Sequence, residues 1–188
     1  MNRAFLIALT VIINVSAVAI SHAANTKPIE DVFQRYWGAY SRKDLAKAAT
    51  DILPSDLEEL KTAVLPVFVS AQSSKNKEAQ EILSIFFGRT AGKARESLSG
   101  VDVYSGLNRL VMAGDPQMFD VLKDASISII FVRTPSPDEA EIHFQVTLKG
   151  QADTDVEGLI NKNGRWWIRL KDQPKETAAH FKELFAKG

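Results

Sequence analysis

His143 is the residue of this sequence best suited to acid–base chemistry. Glu141 and Gln145 lie two positions to either side of it, and side chains two apart on a strand point to the same face. A histidine beside a carboxylate can act as a general base near neutral pH. The same alternation is expected on any solvated strand face, and we favour that interpretation. His143 and Glu141 are the candidates for a catalytic pair.

A second group of residues combines aromatic rings with positive charge. Trp166 and Trp167 are consecutive, so on a strand one ring faces the core and the other lies outward. Trp167 then shares its face with Arg165 and Arg169. A flat ring beside cations can bind an anionic or aromatic ligand or another protein. The equally open alternative is that a helix of the same chain covers the outer ring.

Three tyrosines offer hydroxyl groups for a pocket. Tyr36 and Tyr40 lie about one helical turn apart, and Tyr104 is the third. Tyr36 and Tyr40 are therefore candidates for ligand binding. They also complete an ordinary amphipathic stripe, which is the simpler interpretation.

No pattern predicts a metal or a cofactor. Beyond the leader described below, the histidines are His143 and His180, far apart and without metal-ligand spacing. Asp153, Asp155 and Glu157 alternate, but they lack the layout of a calcium loop. We interpret these acids as a solvated edge or as charges that discourage edge pairing. The sequence also has no phosphate loop, nucleophile elbow or dinucleotide fingerprint.

The composition excludes several classes of chemistry. The 188 residues include no cysteine, which rules out disulfides, thiol nucleophiles and thiolate metal sites. The chain has 23 basic and 23 acidic residues. This balance argues against nucleic acid as a partner, because neutralising phosphates needs an excess of positive charge. The partner classes left are a small hydrophobic or anionic ligand and another protein.

The N-terminus has the layout of a secretory signal. Arg3 precedes an apolar stretch over residues 4–13, and Ser21 and Ala23 place small residues where a signal peptidase reads them. We expect cleavage after Ala23, with Ala24 as the neighbouring option, and a periplasmic or secreted mature protein. The apolar stretch is shorter than the ~20 residues of a membrane span, which favours removal over an uncleaved anchor. The sequence has no second apolar run of that length, so no span is expected after processing.

Apolar residues at helical spacing predict that residues 28–123 are mainly helical. The first helix should begin near Pro28, and Pro54 should end a short second helix. Ser55 and Glu58 then have the spacing of a capping box for a third helix. Pro66 should kink that helix or end it early, because proline removes a backbone donor.

The rest of the helical region follows the same logic. A fourth helix should end at Gly88, residues 89–100 read as a loop or frayed helix, and a fifth helix should end at Gly114. Asp115 and Pro116 then form a start signal. They predict a last short helix whose buried side carries Met118, Phe119 and Leu122.

The periodicity changes at residue 126, and we predict a sheet over 126–171. Residues 126–132 are apolar on both faces and predict a well-covered strand, residues 135–138 predict a turn, and residues 141–149 alternate strictly. Strands over 155–160 and 165–171 flank Asn163-Gly164, a strong hairpin signal because both residues tolerate positive φ. A short helix over 174–187 follows. The fold class is α+β: N-terminal helices on a curved antiparallel sheet of about four strands, in a single domain over 24–188.

Two segments together are typical of a known superfamily. One is the early helix followed by Ser41-Arg42-Lys43-Asp44-Leu45; the other is the final hairpin from Val156 to Ile168 around Asn163-Gly164. The helix carries Phe33, Tyr36, Trp37 and Tyr40. On these segments the chain resembles the nuclear-transport-factor-two-like, or cystatin-like cone, superfamily over about half of the mature chain. The departures are the long helical stretch 54–123 and the added last helix. The resemblance implies a curved sheet wrapped on helices around a conical pocket, and it implies no activity, since this fold hosts both enzymes and binding proteins.

Two functional hypotheses follow. We favour a non-enzymatic exported module that binds a small ligand or a protein, including a second copy of itself, through the sheet face with Arg165, Trp167 and Arg169. The alternative is a small isomerase, dehydratase or hydrolase that uses His143 with Glu141, or a tyrosine, in a pocket between helices and sheet. A ligand-sized cavity at His143 would favour the enzyme, whereas an exposed aromatic face would favour the module.

Overall fold

The helices of the protein come first along the chain and pack on a sheet that follows them. The computed structural model describes residues 25–88, 95–116, 122–171 and 173–186. The helices are α1 (Lys27–Tyr40), α2 (Leu45–Ala49), α3 (Pro54–Ser70), α4 (Lys77–Phe87), α5 (Gly100–Gly114) and α6 (Pro174–Ala186). The predicted ends at Gly88 and Gly114 are confirmed. Gly88 closes α4 at a φ of 49°, in the left-handed region that glycine enters without strain.

The start of α3 differs from the prediction. The helix begins at Pro54 itself, with Leu53 as its N-cap and no side-chain cap, so Ser55 lies inside the first turn. The predicted capping box therefore does not form, and Glu58 pairs with Lys61 at 3.0 Å instead. Proline at the first helical position supplies a fixed φ and lacks only a donor that would have no helical acceptor there.

A capping box is present at α5, where it was not predicted. The Ser99 hydroxyl accepts from the Asp102 amide, and the Asp102 carboxylate accepts from the Ser99 amide. Its acid is aspartate, whereas the usual pattern has glutamate or glutamine at that position. The usual sequence signature therefore does not mark the start of this helix.

Pro66 neither ends α3 nor shortens it, since the helix runs on to Ser70. A proline in a helix deprives the carbonyl four residues earlier of its donor. Here that carbonyl belongs to Thr62, and both Thr62 and Pro66 are exposed, so water can replace the missing bond.

The sheet is antiparallel with four strands in the order β1-β2-β3-β4. They are β1 (Ser126–Ser136), β2 (Glu139–Leu148), β3 (Gln151–Lys162) and β4 (Arg165–Ile168). Asn163 and Gly164 have φ values of 56° and 77°, which confirms the predicted hairpin between β3 and β4. The predicted turn over 135–138 is shorter, because β1 continues to Ser136. The α+β arrangement of helices on a four-stranded antiparallel sheet is confirmed.

The outer edge of β4 is paired with the segment that leads into α3. The Ile168 amide donates to the Asp51 carbonyl at 2.8 Å, and the Leu53 amide donates to the Ile168 carbonyl at 2.9 Å. These bonds form a parallel bridge between Ile52 and Ile168. They tie the helical layer to the sheet and satisfy the backbone groups of Ile168 at this edge.

The core lies between α1 and the sheet and continues through the helical layer. Phe144 of β2 packs against Phe33 and Trp37 of α1, with ring centroids 4.8 and 5.9 Å apart. In the helical layer, Phe68 of α3 stacks on Phe86 of α4 at 3.7 Å. The face of the sheet that carries Phe144 therefore forms one side of the core.

The prediction that β1 is covered on both faces is wrong. Ile130 is 54% exposed and Phe131 50% exposed. The register with β2 shifts between Ile129 and Phe131, so an extra residue reverses the side-chain alternation there. Ile127, Ile129 and Val132 still contact the core, but Phe131 points to the other face of an edge strand.

Some predictions fall outside the described residues. These are the leader, the loop over 89–94, and the buried side of the short helix with Met118 and Phe119. Among the helices that the structure describes, none combines the length and hydropathy needed to cross a bilayer.

Candidate functional site

The two faces of the sheet have different surroundings. On one face, Phe144 contacts Phe33 and Trp37 of α1. His143 points to the opposite face, and the cross-strand register sets it beside Phe131 on β1 and Val156 on β3. We call this second face the open face. It carries Phe131, Arg133, Glu141, His143, Val156, Ile160, Arg165 and Trp167.

His143 lies under an aromatic ring on the open face. Its imidazole stacks on Phe131 with centroids 4.0 Å apart and an interplanar angle of 18°. Its Nε2 atom is buried and has no hydrogen-bond partner among the described residues. The nearest acidic atom is Oε2 of Glu141, at 3.7 Å, which is beyond hydrogen-bond distance.

Glu141 is the predicted partner of His143, and the structure brings the two together. The same Oε2 atom of Glu141 is 3.1 Å from Nε of Arg133 across the strand pair, so the carboxylate is already neutralised. A general base needs a ring nitrogen that a substrate can reach, whereas Nε2 of His143 is shielded from solvent. The geometry therefore suits recognition by stacking better than proton transfer.

Phe131 and Arg133 were missed by the sequence analysis. Their alternation alone would place Phe131 on the core side of β1. Only the bulge at Ile130 moves it beside His143 and sets Arg133 opposite Glu141. No short-range pattern in 126–136 marks the position of that bulge.

The tyrosines form a separate group on the helical side of the sheet. The hydroxyls of Tyr36 and Tyr104 are 3.1 Å apart, and the Tyr40 hydroxyl donates to the Asn108 side-chain oxygen at 3.1 Å. The Asn108 amide donates to the Tyr104 carbonyl at 2.9 Å. The first two contacts join α1 to α5, and the third lies within α5. Burial raises the pKa of Tyr36 far above its usual range, and the neighbouring Tyr104 adds to the shift.

The sheet separates the tyrosines from His143. Tyr36 and Tyr40 lie on α1, which packs on the Phe144 face, while His143 belongs to the open face. The pairing of His143 with a tyrosine that the enzyme hypothesis considers is therefore not formed. Asn108 was also missed, because its partner Tyr40 is 68 positions away and no local spacing signals such a contact.

Arg165 and Trp167 come together as predicted. The Arg165 guanidinium carbon lies 3.7 Å from the Trp167 ring centroid, a cation–π geometry. Arg165 also donates to the Thr50 carbonyl at 3.0 Å and lies 3.7 Å from the Asp51 carboxylate. Trp166 packs against the core, which confirms that the two tryptophans divide between the faces.

Arg169 does not extend the same cluster. Its Nε atom donates to Asp56 at 2.8 Å, and Asp56 also accepts from the Leu170 amide at 3.1 Å. The contact holds the end of β4 against the first turn of α3. Both predicted binding arginines thus have acidic residues of their own chain nearby, which offsets their charge for a bound anion.

The three alternating acids lie on the stretch of β3 that β4 does not reach. β4 pairs only with residues 159–162, and Asp153 and Asp155 are exposed. Asp155 pairs with Lys171 at 3.1 Å. For Asp153 and Asp155 this placement agrees with the interpretation of a solvated edge, whereas Glu157 is half-buried and lies in register with the buried Ile142. Within the described part of the chain, no cluster of three or more His, Asp or Glu side chains could hold a metal ion.

A surface pocket of about 290 Å³ lies between the first turns of α3 and the start of α6. Asp56, Glu59, Arg169 and Lys175 are among its lining residues. Neither His143 nor the tyrosines line it, so it does not supply the cavity at His143 that the enzyme hypothesis needs.

Comparison with known proteins finds no family model that matches the chain and no significant match among curated proteins.

Proposed function

We propose that the mature chain is an exported, non-enzymatic interaction module that associates with a second copy of itself through the open face. One observation carries the proposal: Phe131, a large apolar side chain, is half exposed on a continuous sheet face and stacks on His143. Exposed aromatic rings on a flat surface gain most when a partner covers them.

The charges of the open face support a partner of the same kind. Besides the Arg133–Glu141 pair, the face carries the exposed acid Glu139 and the bases Lys162 and Arg165. In a two-fold arrangement each patch meets its own image, so an acid of one copy can face a base of the other. The whole chain has 23 basic and 23 acidic residues, and this balance leaves no net charge to keep two copies apart.

The size of the open face also suits a reversible dimer. β1, β2 and β3 have 11, 10 and 12 residues. With ~3.3 Å per residue and ~4.8 Å between strands, the sheet covers on the order of 500 Å² in projection. Side chains raise the accessible area above that value, towards the ~800 Å² per partner of a standard interface.

The exported location and the kinship with the cystatin-like cone superfamily belong to the same proposal. Their support is the leader and the helix and hairpin segments of the sequence. Mass spectrometry of the protein recovered outside the cytoplasm tests the leader: we expect a chain that begins at Ala24 or Asn25. Recovery of a chain that still begins at Met1 would contradict it.

Substitution of Phe131 tests the interface. We expect Phe131→Ser to raise the dimer dissociation constant by about tenfold or more, since a buried aromatic anchor contributes above ~1.4 kcal/mol. Sedimentation velocity over a range of concentrations measures it.

Val111 provides the matched control, because it is 53% exposed on α5, away from the sheet. Val111→Ser should leave the dissociation constant unchanged. A wild-type chain that stays monomeric at all concentrations, or equal effects of the two substitutions, would contradict the proposed interface.

A further inference from the structure

The surroundings of His143 determine what a positive charge on its ring does to the open face. Nε2 is buried without a partner in the described chain, and the ring lies flat against Phe131. A neutral imidazole in this position behaves as a flat, mostly apolar surface. Burying the unpaired lone pair of a neutral Nε2 costs less free energy than burying a charged ring.

The charged groups around His143 determine what an added proton does. Arg133 faces it from β1 and Glu141 from β2; its direct neighbours Phe131 and Val156 are apolar. Arg133 and Glu141 already compensate each other at 3.1 Å. A proton on His143 therefore leaves one uncompensated positive charge on the face.

The added charge costs more free energy in the dimer than in the free chain. In the free chain the side chain is 28% exposed, so water screens the imidazolium, and Glu141 can turn toward it. In a face-to-face pair, water is excluded and the two-fold symmetry places a second imidazolium on the opposing copy. Burial of like charges is costly, so the protonated face disfavours association.

We propose that His143 is a proton-operated release for the interface: two copies associate while the imidazole is neutral and separate when it is protonated. This inference rests on the proposed self-association through the open face. Histidine side chains in general change charge between about pH 5 and 8, and the test below spans that range.

The test compares dimer dissociation constants at about pH 7.5 and about pH 5.5, the window of imidazole titration, by sedimentation velocity. For the wild-type chain we expect a rise of about tenfold or more on acidification, since each copy that must shed a proton contributes up to tenfold per pH unit. Near-ultraviolet circular dichroism at both values checks that the fold is intact.

Two variants isolate the residue. His143→Gln keeps a flat polar side chain that takes up no proton in this range, and it should associate equally at both values. His180→Gln removes the exposed histidine of α6 and should retain the full dependence. A pH-dependent His143→Gln dimer, or a pH-independent wild-type dimer, overturns the release mechanism and leaves the interface standing. A wild-type chain that is monomeric at the higher value overturns the proposed function itself, and the release mechanism with it.

Discussion

At the scale of single residues, the tyrosine pair between α1 and α5 shows how burial controls a hydroxyl. Tyr36 and Tyr104 share one hydrogen bond at 3.1 Å. Burial raises the pKa of Tyr36 because a phenolate would lose its hydration, and Tyr104 raises it further. The group thus stays protonated in the folded chain at alkaline values where a free tyrosine ionises.

This raised pKa predicts a loss of stability in alkali. The unfolded chain ionises Tyr36 above pH ~10 while the folded chain does not, so the stabilisation is complete below that value and falls as the pH rises, by up to about 1.4 kcal/mol per pH unit. Urea unfolding at several alkaline values measures it.

Tyr36→Phe is the control, because it keeps the ring and removes the ionisable group. Its stability should fall less steeply with pH than that of the wild-type chain. Equal slopes for the two proteins would show that Tyr36 ionises normally in the folded state.

At the scale of elements, α5 is fitted closely against α4. A Cβ atom at Gly106 would lie 2.8 Å from two ring carbons and the carbonyl oxygen of Phe86. One turn along, Arg109 donates to the carbonyls of Ile85 and Phe86 and so caps the C-terminal end of α4. The two helices approach at the one position of this turn that has no side chain.

A methyl group at Gly106 should therefore destabilise the fold. We expect Gly106→Ala to lower the free energy of unfolding by about 1–3 kcal/mol through overpacking against Phe86. Gly114→Ala, in the same helix, meets nothing within 4 Å and should be neutral or stabilise by up to about 1 kcal/mol. Urea unfolding of both variants measures the contrast; an equal effect would mean that helix propensity, and not packing, governs Gly106.

At the scale of the whole molecule, α6 is attached through a few aromatic contacts. Phe181 and Phe185 pack on Phe68 of α3 with centroids 4.7 and 5.4 Å apart. No described residue of α6 is fully buried, whereas α3 and the sheet share the main core. The last helix should thus open more readily than the rest of the fold.

Removal of one contact should loosen α6 selectively. We expect Phe181→Ala to cost about 1–3 kcal/mol, less than a fully buried phenylalanine, and to speed hydrogen exchange in α6 while the amides of β2 and β3 keep their protection. Lys182→Ala, an exposed neighbour, should leave exchange unchanged. Faster exchange throughout the sheet would show that α6 is part of the same cooperative unit.

The sequence determined the features that depend on neighbours along the chain. The stripes of α1 and α4, the alternation of β2 and the positive φ of Asn163 and Gly164 follow from local backbone preferences and from side-chain period. These features act over a few residues, so the order of helices and strands, and hence the α+β class, could be predicted. The proximity of Glu141 and His143 is of the same kind, because two residues apart on a strand is a local relation.

The tertiary structure alone determines which side chains form the open face and which distant residues come into contact. The bulge at Ile130 moves Phe131 onto the open face, and its position depends on the register in which β1 pairs with β2. The pairing of Arg169 with Asp56 joins residues 113 positions apart, and Asn108 meets Tyr40 across two packed helices. Such partners are selected by the packing of whole elements. Because the free energy of that packing is shared among many distant side chains, no local pattern records it.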